Sequence, residues 1–159
     1  MIREVTKADY DSLVILVEMV GNMHHFALPD TFKPLVFSKE DYLELLQNDC
    51  IKIFVYEESI TEKEAVKILG FCHMSFFDYG ADHSAYRDVV VANIDSMGVI
   101  EEAQHLGIGR KLMAHAQEHA IQCGAERLEL SVWPFNEDAR AFYDNMGFTV
   151  KYTAMELKL

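Results

Sequence analysis

Gln104, Gly107 and Gly109 stand in the run QHLGIGRKLM, directly ahead of a stretch with helical periodicity and followed at once by Arg110 and Lys111. Helix N-termini expose unpaired N–H groups at the positive end of the helix dipole, so successive amides there can cradle a pyrophosphate if side chains leave room. The two glycines provide that clearance, and the two cations add positive charge in a chain with 14 basic and 26 acidic side chains. Two familiar phosphate patterns fail here. A P-loop needs Lys followed by Ser or Thr, and a dinucleotide fingerprint needs a third glycine where Leu112 stands.

Other residues carry chemistry by type and spacing. In the apolar run VVVANIDSMGVI, strict alternation puts Asn93, Asp95, Met97 and Val99 on one face of a strand. A carboxylate in so apolar a strand is costly unless paired, and burial raises its pKa toward the range of a useful base. Asp95 is therefore the candidate base. Pairing with Arg87, binding of a substrate cation, or a water chain passing Asn93 and Asp95 are the other readings. Asn136 and Tyr143 lie seven residues apart, two turns or ~10.5 Å along one helix face, so both can line one extended ligand. The segment HAQEH, His115 to His119, reads H-x-x-E-H, a zinc-peptidase pattern. It directly follows the glycine turn and has no second acidic-ligand motif downstream, so a packed or surface histidine pair is the reading adopted, with no metal.

Hydrophobic periodicity supplies the elements that position these groups. IREV reads as a short strand, and Thr6 with Asp9 forms a capping box for a helix running to about His24. ALPDTFKP interrupts it through its prolines. Ser38 with Asp41 starts a second helix ending near Asp49. Strands follow at IKIFVYEE and VKILGFCHMSFF, joined by the charged turn SITEKEA, and then comes the polar loop DYGADHSAYRD before the central strand. A helix runs from Gly107 to Gly124, then a strand RLELSVW, a helix capped by Asn136 and stopped by Gly147, and a last strand or strand pair in FTVKYTAMELKL. A strand, helix and strand over 90 to 132 imply a parallel pair with a crossover. The expectation is one α/β domain over residues 1–159, a mixed sheet with helices on both faces.

Composition narrows the classes. A chain of 159 residues, half of them hydrophobic and a quarter charged, is globular and of single-domain size. No apolar run approaches the ~20 residues of a membrane span, and charges begin at the third residue, so a cytoplasmic protein is expected. The formal charge of −12 disfavours nucleic acid and anionic membrane as partners and favours a cationic one. Cys50, Cys72 and Cys123 are odd in number and widely spaced, which reads as reduced thiols.

The pattern Gln104, Gly107 and Gly109 after an apolar strand, together with LELSVWPFNEDARAFYDNMGF, resembles the acetyl-CoA-binding signatures of the GNAT superfamily of N-acetyltransferases. The second segment carries the likeness: a strand, Asn136, the Phe142-Tyr143 pair and a terminal Gly147-Phe148. The order of elements matches along nearly the whole chain, and the amino half resembles bacterial members. The resemblance implies a GNAT fold with a central mixed sheet of six to seven strands, about four flanking helices and a splayed parallel strand pair at the cofactor cleft. It implies acetyl-CoA as acetyl donor, with its pyrophosphate held by Gln104, His105, Leu106, Gly107, Ile108, Gly109 and Arg110. The pantetheine pairs with backbone groups of Met97, Gly98 and Val99, and Asn136 and Tyr143 line the same ligand. Tyr143 takes the superfamily's proton-donor position toward the departing thiolate. Many relatives carry glutamate where Asn93 stands, which leaves Asp95 as substitute base. His24, His25, Tyr79, Asp95 and His83 fall in segments that border the acceptor pocket. The partners so implied are acetyl-CoA and an amine acceptor, by direct transfer in a ternary complex; separately, the edge of the last strand offers a route to a homodimer. A coenzyme A binding or regulatory module with little turnover is the alternative, motivated by the missing glutamate.

Overall fold

A computed structural model describes residues 1–60, 65–82 and 85–159. One sheet has the order β1-β2-β3-β4-β5, from β1 (Ile2–Glu4), β2 (Ile51–Ile60), β3 (Ala65–Asp78), β4 (Val90–Val99) and β5 (Arg127–Leu130). The first three pairings are antiparallel. β4 and β5 are parallel, and α4 (Ile108–Gln122) makes the crossover expected from the sequence. His83 and residues 61–64 of the expected charged turn lie outside the described residues.

Local chemistry explains where the other helices begin and end. Thr6 N–H donates to Asp9 Oδ2 at 2.7 Å, and α1 (Tyr10–Ala27) follows after a single 3₁₀ turn. It passes the expected end at His24 because Leu28 N–H still reaches the His24 carbonyl at 2.9 Å. Both arms of the Ser38 capping box form, Asp41 N–H to Ser38 Oγ at 3.1 Å and Ser38 N–H to Asp41 Oδ2 at 3.2 Å, opening α2 (Lys39–Leu45). This helix stops short of Asp49, since Gln47 and Asn48 N–H groups make tighter bonds to the Glu44 and Leu45 carbonyls. Within the expected polar loop lies a four-residue helix, α3 (Tyr79–Asp82), and the last helix is α5 (Glu137–Asn145).

The sheet separates two apolar clusters. On one face Phe54, Cys72, Met74 and Ile94 meet Leu112 and Ala116 of α4. On the other, Val55, Ile53 and Phe71 meet Leu13 and Leu16 of α1 and Tyr42 of α2. The strand count is five rather than six to seven, because residues 148–159 form no strand. Lys151 attaches this segment to β5 through its side chain instead of a ladder, donating to both Glu129 carboxylate oxygens at 2.6 and 2.7 Å. Val150, Tyr152, Met155 and Leu157 remain exposed.

Arg3 ties β1 to the entrance of α1 and to β2. Its guanidinium donates to Asp9 at 2.8 Å twice and to Glu57 Oε2 at 2.6 Å. The hydrogen bonds from Arg3, opposed by burial, lower the Asp9 pKa to about 2. The folded carboxylate thus holds its proton less tightly than the unfolded one, so the stabilisation is complete above the ordinary carboxylate range and is lost as pH falls toward 2. Accordingly, Asp9→Asn should lower the melting temperature at neutral pH. The gap to wild type should shrink on acidification from about pH 4 to about pH 2, as followed by thermal denaturation.

Candidate active site

β4 carries a bulge that organises the region. Against β3, Ser96 pairs with His73 and Ile94 with Met74, so Asp95 has no partner residue of its own. The bulge resets the alternation, which corrects the sequence expectation that Asn93, Asp95, Met97 and Val99 share a face. Met97 and Val99 pack with Ile94 in the α4-side cluster. Asn93 and Ser75 both donate to Asp95, while Ser96 and His73 border a small cavity on the α1 side. β5 follows β4 only from Val91 to Ile94. Beyond the bulge the two part, and residues 131–133, expected as strand, lack a ladder partner and are irregular. Asp95 to Val99 therefore present a strand edge that β5 does not cover.

At the end of this edge sits the glycine turn. Gln104 Nε2 donates to the Val99 carbonyl at 3.3 Å, fastening the turn to β4. His105 and Gly107 both adopt positive φ, 60° and 78°, and α4 starts at Ile108. Lys111 N–H makes the bond to the Gly107 carbonyl at 3.1 Å, so the amides of Ile108, Gly109 and Arg110 precede the first intrahelical bond. A Cβ on Gly107 would meet nothing within 4 Å, whereas one on Gly109 would lie 3.6 Å from the Phe142 ring. The open side thus belongs to Gly107, and Gly109 faces α5. Leu106 is exposed, as is Arg110.

α1 and α5 form the walls. A Cβ on Gly98 would fall 2.6 Å from Val20 Cγ2, so glycine is what lets α1 lie against β4. A cleft of about 870 Å³ opens between Met19, Met23 and Phe26 of α1 and Phe135, Asn136 and Asp138 at the start of α5. Asn136 caps that helix, its Oδ1 accepting from Ala139 N–H at 3.2 Å. Tyr143 packs between Phe142 and Phe148 against the α4-side cluster, and burial raises its pKa, with Cys72 adding to the rise. Burial pushes the Cys72 thiol up to about 12, which leaves it protonated and a poor nucleophile.

Asp95 is not the buried group the strand pattern suggests. Its side chain is 31 % exposed, because the bulge turns it outward, and its partners are Ser75 and Asn93 rather than Arg87. Ser75 Oγ and Asn93 Nδ2 donate to Oδ1 at 3.0 and 2.7 Å, leaving Oδ2 facing His73 Nε2 at 3.8 Å. His73 is a residue the sequence reading passed over. Its signal, a lone polar ring in an apolar strand, gains meaning only with the register.

The remaining candidates are spread out. His24 bonds the Val20 carbonyl at 2.8 Å, and its ring meets Phe135 at 5.5 Å beside the cleft. His25 is taken up by the Phe32 carbonyl at 2.7 Å. Tyr79 donates to Glu129 at 2.7 Å and accepts from Lys151 at 2.6 Å. Burial raises the Glu129 pKa, but the hydrogen bonds from Lys151 and Tyr79 outweigh it and the net shift is downward. His115 and His119 set their edges against Phe54, at 4.6 and 5.1 Å between ring centroids.

Residues 20–148 match the model of the acetyltransferase (GNAT) family. The 5-NmdU N-acetyltransferase of Pseudomonas phage PaMx11 is 48 % identical over 54 residues, 34 % of this chain and 36 % of that protein. The chain thus spans about a third of the length of this curated relative. The BH1408 protein of Bacillus halodurans, in a tetramutant form, superposes with a TM-score of 0.88 at 24 % identity, over 100 % of this chain and 99 % of that one. The aminoglycoside N-acetyltransferase AAC(6')-Iy in complex with CoA gives 0.70 at 16 % identity, over 100 % and 98 % of the two chains. At these identities the solved structures share the fold.

The two glycines of the turn should respond differently to substitution. Gly107→Ala should lose about 1–2 kcal/mol of stability, because an L side chain resists the left-handed backbone. Gly109→Ala, with ordinary backbone and van der Waals contact to Phe142, should stay within about 0.5 kcal/mol of wild type. Urea denaturation of both variants measures the difference, and equal losses would contradict the assignment.

Proposed function

This chain belongs to the acetyltransferase (GNAT) family, and on that premise we propose that it transfers the acetyl group of acetyl-CoA to a primary amine of a small molecule or peptide, directly and within a ternary complex. The supporting observation is the strand edge from Asp95 to Val99, uncovered by β5 and ending on the amides ahead of α4. Residues 1–159 act as one transferase unit in this reading. It works in the cytoplasm, with neither nucleic acid nor membrane as partner and with pairing at an exposed strand edge as a route to a homodimer. Among the described residues no helix is long and apolar enough to cross a membrane.

Acetyl-CoA supplies the acetyl carbon as a thioester that a free amine can attack. The turn from Gln104 to Arg110, with His105, Leu106, Gly107, Ile108 and Gly109 between, binds the pyrophosphate through its amides. Backbone groups of Met97, Gly98 and Val99 hold the pantetheine as an added strand. An N–H near Met97 or Gly98 polarises the thioester carbonyl and stabilises the oxyanion that forms on attack. Asp95 receives the ammonium, held by the Asn93 amide. Asn136 and Tyr143 line the cofactor, and Tyr143, kept protonated by burial, gives its proton to the leaving thiolate. His24, His25 and Tyr79 border the acceptor. No residue is assigned to a metal in this reading.

Release of the coenzyme thiol, followed colorimetrically over an amine panel, tests this directly. 5-NmdU belongs in the panel because the phage relative is named for it, alongside polyamines, aminoglycosides and peptide N-termini. With an accepted amine, Tyr143→Phe should lower kcat about 100-fold while KM for acetyl-CoA stays near wild type. Asp95→Asn should chiefly raise KM for the amine. Asn93 in place of a carboxylate favours one second reading, a coenzyme A binding or regulatory module with little turnover. Tight coenzyme binding with no thiol release from any amine would select it.

A further inference from the structure

His73 is the one described residue with a buried side-chain nitrogen that lacks any hydrogen-bond partner. Such an atom is unfavourable inside a protein and calls for a physical reason. The ring lies at the bulge, opposite Ser96 and next to the uncovered strand edge. With Ser96 it borders a cavity of about 140 Å³ whose remaining walls are apolar: Leu13 and Val17 from α1, Phe37, Leu45 from α2, and Ile53 and Phe71 from the sheet. Asp95 is the charged group acting on it.

We propose that Asp95 and His73 form a two-member proton acceptor, in which the exposed Asp95 Oδ2 meets the acceptor's ammonium and His73 Nε2, shielded behind it, takes the proton. This rests on the transferase reading and names the destination of the amine's proton within it. Asp95 touches the acceptor, and His73 receives the proton through it. Ser75 and Asn93 occupy Oδ1 and leave Oδ2 for substrate. The 3.8 Å from Oδ2 to Nε2 exceeds hydrogen-bond distance by about 1 Å, so proton transfer requires a side-chain rotation that brings the two atoms together. Burial lowers the His73 pKa and Asp95 partly restores it, so the ring is neutral at physiological pH with a lone pair to offer.

The step balances. One N–H bond of the ammonium breaks and its electron pair stays on nitrogen, which then attacks the thioester carbon. The proton passes to Asp95 Oδ2 and on to Nε2, leaving an imidazolium beside a carboxylate. A second N–H proton leaves the nitrogen of the tetrahedral intermediate and replaces the one that Tyr143 gives the departing thiolate, so the amide keeps a single N–H bond. A carboxylate alone is a weak base for an amine's proton, and the neutral imidazole behind it adds a second acceptor.

The pH dependence of kcat/KM for an accepted amine tests the pair. In wild type the ammonium form is productive, so the profile should be flat from just above the histidine titration up to the amine's own pKa. His73→Gln removes the acceptor and makes only the free amine productive. Its kcat/KM should be depressed about 100-fold near neutrality, rise about tenfold per pH unit, and approach wild type near the amine's pKa. Histidine-selective NMR gives a readout that needs no turnover: Asp95→Asn should move the His73 titration midpoint further down. Should His73→Gln fail to fold, Asp95→Asn, at an exposed position, carries the pH profile as well. Superimposable profiles in an active enzyme, or a His73 midpoint indifferent to Asp95→Asn, would overturn the proposal alone. A wild type that releases no thiol with any amine would overturn the transferase reading and this proposal with it.

Discussion

The geometry of the site depends on one extra residue in β4. With Asp95 unpaired against β3, the strand bends and its side-chain alternation shifts by one place. The bend carries β4 away from β5 after Ile94. Without it the parallel pair would continue, residues 131–133 would be strand, and Met97 to Val99 would have their second edge covered. A cleft that must admit an extended ligand between two parallel strands needs such an interruption, and a bulge provides it without breaking the ladder to β3.

Different side chains gather on the two faces of the sheet at this point. Toward α4 and α5 lie Met97, Val99 and Tyr143, with the Cys72 thiol raised by burial, an environment that keeps protons in place. Toward α1 lie Asn93, Asp95, Ser75 and His73, an environment with a free carboxylate oxygen and a neutral imidazole. Acid and base chemistry on a single thioester needs groups pushed in opposite directions and separated by the reacting bond. The net charge of −12 suits an approaching cation, while Arg110 is exposed beside the turn and the Lys111 ammonium lies over the Tyr56 ring at 5.4 Å.

Much of this was legible in the sequence because the signals were local. The Ser38 box, the Asn136 cap and the stop at Gly124 each follow from the chemistry of a few adjacent residues. The strand and helix order needed only periodicity. What escaped depends on partners distant in sequence. A bulge is a property of two strands, so alternation read along β4 alone put Asn93, Asp95, Met97 and Val99 together. The early end of β5 follows from that bulge. FTVKYTAMELKL has a strand's alternation, but a strand also needs a ladder, and the attachment here is the Lys151 side chain on Glu129. His73 became visible only when register set it opposite Ser96 with Asp95 nearby.

Amide hydrogen exchange with and without coenzyme A tests the central claim, that the uncovered edge of β4 and the turn after it are one ligand-binding surface. The account predicts slowed exchange at Met97 to Val99 and at Ile108 to Arg110, with the middle of α4 around His115 to His119 unchanged. Protection confined to other segments, or none at saturating coenzyme, would contradict it.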